Sequence, residues 1–180
     1  MLLVAYLNRA SVRDRAIRDP DQALLGPMIR RSDNATASRV LGLVGAAGVY
    51  RVATRARMEH FVLRLPIWGH SAITARDQAR FFRRIDTYVP DRHRGYARFL
   101  LAHVIPAQRW GIARVAPDGY RIFFKGGWGS GTGRVTHQVA FLEQGETRIS
   151  LAILTEHNPS HRYGTATIRG VATRLLRGVD

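Results

Sequence analysis

Residues 30–39 read RRSDNATASR, and the reading of Ser32-Asp33-Asn34 at their centre decides the rest of the chain. Two readings are open. Serine, aspartate and asparagine cap helix N-termini, because their oxygens accept first-turn N–H groups that have no partner inside the helix. The adjoining residues, ATASRVLGLVGAAGV, place Val40, Leu41, Val44 and Ala47 at the spacing of one helical face. A cap therefore accounts for the stretch unaided. The other reading makes the same three residues part of an active site, and these ten residues alone leave both standing.

Working outward, the first half of the chain is helical in pattern. Met1 to Arg9 is apolar and uncapped, as in the continuation of a buried helix. Asp19-Pro20-Asp21 reads as a breaker before a short helix through Leu24, Leu25, Met28 and Ile29. RMEHFVLRLPIWGHS, with Pro66 and Gly69, reads as a loop-rich crossing. Thr74 is placed to cap ARDQARFFRRIDTYV, with Ala75, Ala79, Phe82 and Ile85 on one face, and Tyr96 to Ile105 forms another helix stopped by Pro106.

After Pro106 the period changes from helical to alternating. WGIARVAPDGYRIFFKGGW is expected to form two strands joined at Pro117-Asp118-Gly119. VTHQVAFLEQGETRISLAILT is a second hairpin turning at Gln144-Gly145-Glu146, and Tyr163 to Arg177 closes the chain as a helix with Ile168, Val171, Leu175 and Leu176 as its apolar stripe. Helices, then antiparallel strands, then a final helix make an α+β domain. Its helical part is expected over about 10–105, and its sheet with the C-terminal helix over about 107–180.

Composition narrows the function. At 180 residues and 46% hydrophobic, the chain is one globular domain, and no apolar run approaches the roughly 20 residues of a membrane span. MLLVAYL is short and lacks the basic leader and cleavage site of a signal peptide. The absence of cysteine excludes disulfides, thiolate metal sites and cysteine nucleophiles. The net charge of +15 predicts non-specific attraction of anionic polymers, but the arginines are scattered along the chain, so specific nucleic-acid recognition is not expected.

Other motifs are weak. His157 and His161 are separated by Asn158-Pro159-Ser160, which prevents the helix that would align them on a metal. GGWGSGTG precedes a strand rather than a helix, so it is a poor phosphate loop. Asn34-Ala35-Thr36 matches a glycosylation sequon that occurs often by chance. Trp68 and Trp110 are expected in the core. No cofactor and no metal are expected.

Lys125 breaks the tie over Ser32. It is the only lysine among 28 basic residues, it ends a strand-like run, and Gly126-Gly127 come directly after it. Ser-Asp-Asn on a loop between helices, with Lys-x-Gly much later on an edge strand, resembles the serine β-lactamases and penicillin-binding proteins, whose motifs are Ser-x-x-Lys, Ser-Asp-Asn and Lys-Thr-Gly. LLGPMIRRSDNATASRVLGLVG, SAITARDQARFFRRI, GETRISLAILT and YGTATIRGVATRLL are similar to further segments of that family. The resemblance covers nearly the whole chain and is closest to the class A β-lactamase-like serine hydrolases.

That resemblance implies acyl transfer on a β-lactam or a peptidoglycan-type amide. Ser32 would carry a proton to the departing nitrogen, with Lys125 holding its hydroxyl in a positive field. Asn34 would bind the substrate's side-chain amide, Asp33 would fix the loop, and the Trp128 N–H after Gly126-Gly127 would donate to the oxyanion. Gly126 stands where the family has Thr or Ser, which removes a hydroxyl for the substrate carboxylate. Glu59 is the only glutamate in the region of the deacylating base, and Leu63 stands where that motif has asparagine, which predicts slow deacylation.

No Ser-x-x-Lys is present, since Ile122 stands three residues before the single lysine. Met1 to Leu7 resembles the residues just after that motif, so the expectation is a sequence starting beyond the catalytic lysine, with the nucleophile and an export signal upstream. The chain as written should then fail to acylate. Two alternatives remain: a non-catalytic protein binding cell-wall peptide or polyanion, and a basic nucleic-acid-binding domain.

Overall fold

The computed structural model describes residues 1–179. In chain order the elements are α1 (Leu2–Leu7), α2 (Ala10–Arg13), α3 (Asp19–Gly26), α4 (Asn34–Arg55), α5 (Ala75–Arg83), α6 (Ile85–Tyr88), α7 (Arg94–Ala102), β1 (Arg121–Gly129), β2 (Val135–Gln144), β3 (Thr147–Thr155) and α8 (His161–Leu175). The strands form one antiparallel sheet in the order β1-β2-β3, which leaves β1 as an edge. This is the expected α+β architecture: helices with a three-stranded antiparallel sheet and a C-terminal helix.

The alternation of side chains along a strand builds three layers. Phe123 and Phe141 face each other across β1 and β2, with ring centroids 5.9 Å apart, and both join the helical core around Leu7, Leu25, Phe81 and Leu100. Their neighbours Phe124, Ala140 and Leu142 point the other way and pack with Ile168, Ala172 and Leu176 of the C-terminal segment. Burying each phenylalanine contributes about 2–3 kcal/mol, and the facing pair about 1 kcal/mol more. Lys125, two residues after Phe123, necessarily points to the helical side.

Local chemistry sets the helix ends. Thr74 Oγ1 accepts the Asp77 N–H at 3.2 Å, as its position predicts. The helix it caps stops at Arg83, because Arg84 leaves the helical region and Ile85–Tyr88 restarts as a separate turn; its buried face is carried by Phe81 and Phe82 rather than by the expected Ala75 and Ala79. Asp19-Pro20-Asp21 is the first turn of α3 rather than a breaker ahead of it; proline is tolerated there because its missing N–H would lack a partner anyway. Along α8 and its C-cap the buried stripe is Ile168, Ala172 and Leu176, while Val171 and Leu175 are exposed.

One expected strand is absent. Gly111 to Arg114 forms a 3₁₀ turn, so β1 has no partner before Pro117. The cause is Gln138, whose buried carboxamide accepts the Ile112 N–H at 2.6 Å and donates to the Trp110 carbonyl at 2.8 Å. Gly111 turns there at φ 60°, and a Cβ would come within 2.6 Å of Gln138 and Ile168. The β2–β3 hairpin turns at Gly145-Glu146 as read from the sequence. Among the described residues no helix is long and apolar enough to cross a membrane.

Candidate active site

A cleft of about 320 Å³ opens between the helical layer and the free edge of β1. Its walls come from the start of α1, the turn after α3, the start of α4 and residues 125–128 of β1, with Trp68 closing one side. Thus the cleft gathers residues 32–34 and 125–128, which lie far apart in the chain.

Ser32 is delivered by an unusual piece of backbone. After α3 the chain widens into a π-helical turn, Pro27–Arg31, and Ser32 ends it in the left-handed region at φ 57°, ψ 39°. Such a conformation costs a non-glycine residue about 1–2 kcal/mol. It is held by the Asp33 N–H, which donates to the Pro27 carbonyl at 3.2 Å, and by the cap beyond it. Asp33 Oδ1 accepts the Thr36 N–H at 2.7 Å and so starts α4. The cap reading of this stretch is therefore correct for Asp33, while Ser32 is left free to point into the cleft.

There Lys125 meets it. The Lys125 ammonium donates to Ser32 Oγ and, at 2.6 Å, to the Gly126 carbonyl. The Ser32 hydroxyl in turn donates to Gln108 Oε1 at 2.8 Å, and Gln108 Nε2 donates to the Arg31 carbonyl at 2.8 Å. The result is a directed chain, ammonium to hydroxyl to carboxamide, spanning the strand, the serine loop and the 3₁₀ turn Pro106–Gln108.

Electrostatics sharpen the pair. Lys125 forms no ion pair among the described residues, and its burial lowers its pKa from the ordinary lysine value of 10.5 to about 8. It is still mainly protonated at pH 7, yet close enough to its midpoint to give up or take back a proton readily. Asp33 lines the same cleft, but the Thr36 N–H holds its carboxyl below the usual range, so it stays ionised and engaged in the cap.

The other predicted residues take distinct places. Asn34 opens α4 at the cleft wall, exposed, with its side-chain amide unbonded among the described residues. Gly127 faces open space, and Trp128 is 44% exposed at the rim, its ring 5.4 Å from that of His161. Gly126 has a physical reason to lack a side chain: a Cβ there would sit 2.7 Å from Trp110 Cζ2. The Trp110 indole occupies the volume a threonine would need.

Trp68 packs against the helical core as expected, and it also lines the cleft, its indole N–H donating to Ser38 Oγ at 3.0 Å. Glu59 is exposed and paired with Arg80 at 3.3 Å, away from the cleft lining. Gln108 and the Trp110–Gly126 contact carried no sequence signal, since a single glutamine after a proline belongs to no motif. Trp110 packs partly against the α8-side core, as expected, while its ring edge underlies the site. Among the described residues no cluster of metal-binding side chains occurs.

The model of the beta-lactamase enzyme family matches residues 20–179. The chain belongs to that family. Other members of this β-lactamase fold are similar throughout. A β-lactamase from Sphaerobacter thermophilus superposes with a TM-score of 0.83 at 19% identity, covering 98% of this chain and 79% of that one. A β-lactamase from Desulfarculus baarsii gives 0.72 at 21% identity, covering 97% and 80%. A mutant of PBP-A, solved as an acyl-enzyme complex with penicillin G, gives 0.75 at 15% identity, covering 99% and 78%. No curated protein matches by sequence. At these identities the structures speak for the fold, and the family model for the membership.

Proposed function

We propose that the cleft is the proton-transfer and binding half of a β-lactamase-like acyl-transfer site, and that the 180-residue chain binds a β-lactam or cell-wall peptide amide without acylating. The observation that carries this is the contact of the Lys125 ammonium with Ser32 Oγ inside the cleft. In an acyl transfer the acyl carbon passes to a nucleophile as the C–N bond breaks, and the departing nitrogen needs a proton; this cleft would supply the proton and not the nucleophile. Ser32 would give it the hydroxyl proton and regain one from Lys125, whose lowered pKa supports that exchange. Asn34, with a free amide, would hold the ligand's side-chain amide; Gly127 and the Trp128 N–H on the edge strand would receive its carbonyl oxygen.

In the serine β-lactamases a separate Ser-x-x-Lys motif supplies the acylated serine with its own lysine; this sequence has no such motif, and its single lysine donates to Ser32. Binding without covalent capture is the consequence. PBP-A, of the same fold, was solved with penicillin G as an acyl-enzyme, which supports penicillins as the first ligands to test. Fluorescence anisotropy with a fluorescent penicillin should show saturable binding that unlabelled penicillin G displaces, while intact-mass spectrometry shows no added mass. Absence of binding would remove the cleft reading; a stoichiometric adduct would remove the claim that the chain does not acylate.

A further inference from the structure

A second cleft, of about 880 Å³, lies at the C-terminal end of α4, beyond the break in its helix at Gly45 (φ 64°, ψ 168°). Six arginines line it: Arg55 at the end of α4, Arg57 just beyond, Arg80 and Arg83 on α5, Arg84 after it, and Arg148 on β3. The scattered arginines of the sequence are thus gathered by the fold into one concave site.

A structural explanation covers only half of them. Helix C-termini attract cations, and Arg55 donates to the Thr87 and Tyr88 carbonyls at 3.3 and 3.5 Å. Arg80 is taken up by Asp77, Glu59 and the Arg57 carbonyl, and Arg148 lies 3.5 Å from Glu143. Arg57, Arg83 and Arg84 are exposed, and their guanidinium groups make no hydrogen bond or ion pair among the described residues. On the acidic side, Asp86 and Glu143 are occupied by Arg98 at 2.5 and 2.8 Å, which leaves Glu146 as the lining carboxylate without a cationic partner among the described residues. Arg57 is also held at φ 52°, a position where glycine would be easier.

Guanidinium forks match phosphate oxygens in pairs. The site is concave rather than a stripe, so it suits a compact anion over a long polymer. Its one lining aromatic, Tyr88, is buried at 8% exposure and offers a base no stacking face. We propose that this cleft binds a compact ligand carrying several phosphate groups, recognised through Arg57, Arg83 and Arg84 and independently of the Ser32–Lys125 site.

The test is calorimetric titration of the full chain with inorganic triphosphate at near-physiological salt, with orthophosphate, ATP and a single-stranded oligonucleotide alongside. Triphosphate should bind at one site, ATP no more tightly than triphosphate, and orthophosphate far more weakly. Arg83→Gln with Arg84→Gln should weaken binding by about a hundredfold, roughly tenfold for each charged contact. Arg169→Gln with Arg177→Gln, the same charge change on the far face of the sheet, should leave it unchanged. Arg57→Gly relieves the backbone, so the protein should melt no lower than wild type while triphosphate affinity falls about tenfold. Equal losses in both double variants, no triphosphate binding by the wild type, an unchanged affinity in Arg57→Gly, or tighter binding of the oligonucleotide lost equally in both double variants would each overturn the proposal.

Discussion

Substituting Lys125 by methionine should change the pH dependence of stability in a predictable direction. The folded-state pKa is about 8 because burial disfavours the ammonium, against 10.5 for the ordinary group. Above pH 8 the unfolded chain therefore binds more protons than the folded one, and stability rises with pH until the unfolded value is passed. That lowering corresponds to about 3 kcal/mol of destabilisation at low pH. Roughly 2 kcal/mol of that is relieved between about pH 6.5 and 9.5. Methionine keeps most of the side chain's volume and cannot titrate. At about pH 6.5 it removes the charge penalty but also the bonds to Ser32 and Gly126, each worth about 1 kcal/mol, so Lys125→Met should be about 1 kcal/mol more stable than wild type there. By about pH 9.5 the wild type should have overtaken it by about 1 kcal/mol. Urea denaturation of both proteins at the two pH values measures this, and comparing them cancels every other titrating group. A stability difference that does not move with pH would refute the idea that Lys125 is held in a desolvated site.

Two further outcomes rest on the packing. Asp33→Ala removes the cap that starts α4 and should cost about 1 kcal/mol, lowering the melting temperature by about 2–4 °C. Gly126→Thr forces a Cβ into the Trp110 ring and should destabilise by about 1–3 kcal/mol, whereas adding Trp110→Ala to Gly126→Thr should recover part of that loss, so that the two changes are non-additive in a double-mutant cycle.

Much of the fold and of the cleft was legible because local chemistry and global structure agree. Thr74 and Asp33 cap where their oxygens predict, the hairpin turns at Gly145-Glu146, and the alternation through Phe123 and Phe124 places Lys125 on the helical side. Ser32 and Lys125 were readable as a pair only because two motifs occur in register. What escaped depends on contacts between distant residues. Gly111 to Arg114 alternates like a strand, yet Gln138, well downstream on β2, bends it into a turn. Gln108 joins the hydrogen-bond chain from Lys125 through Ser32 only because its turn is folded back against Arg31. The arginines of the second cleft are spread from Arg55 to Arg148, so no window of sequence shows them together.

Because the chain has a single lysine, incorporating ¹³C-lysine places one ε-carbon signal in the middle of the cleft, and its titration with and without penicillin G tests the pair most directly. The signal should titrate near 8 in the free protein and at higher pH once an anionic ligand lies beside the ammonium. A titration that starts at the ordinary lysine value, or that penicillin G leaves unmoved, would mean that Lys125 and Ser32 do not form a ligand-facing pair.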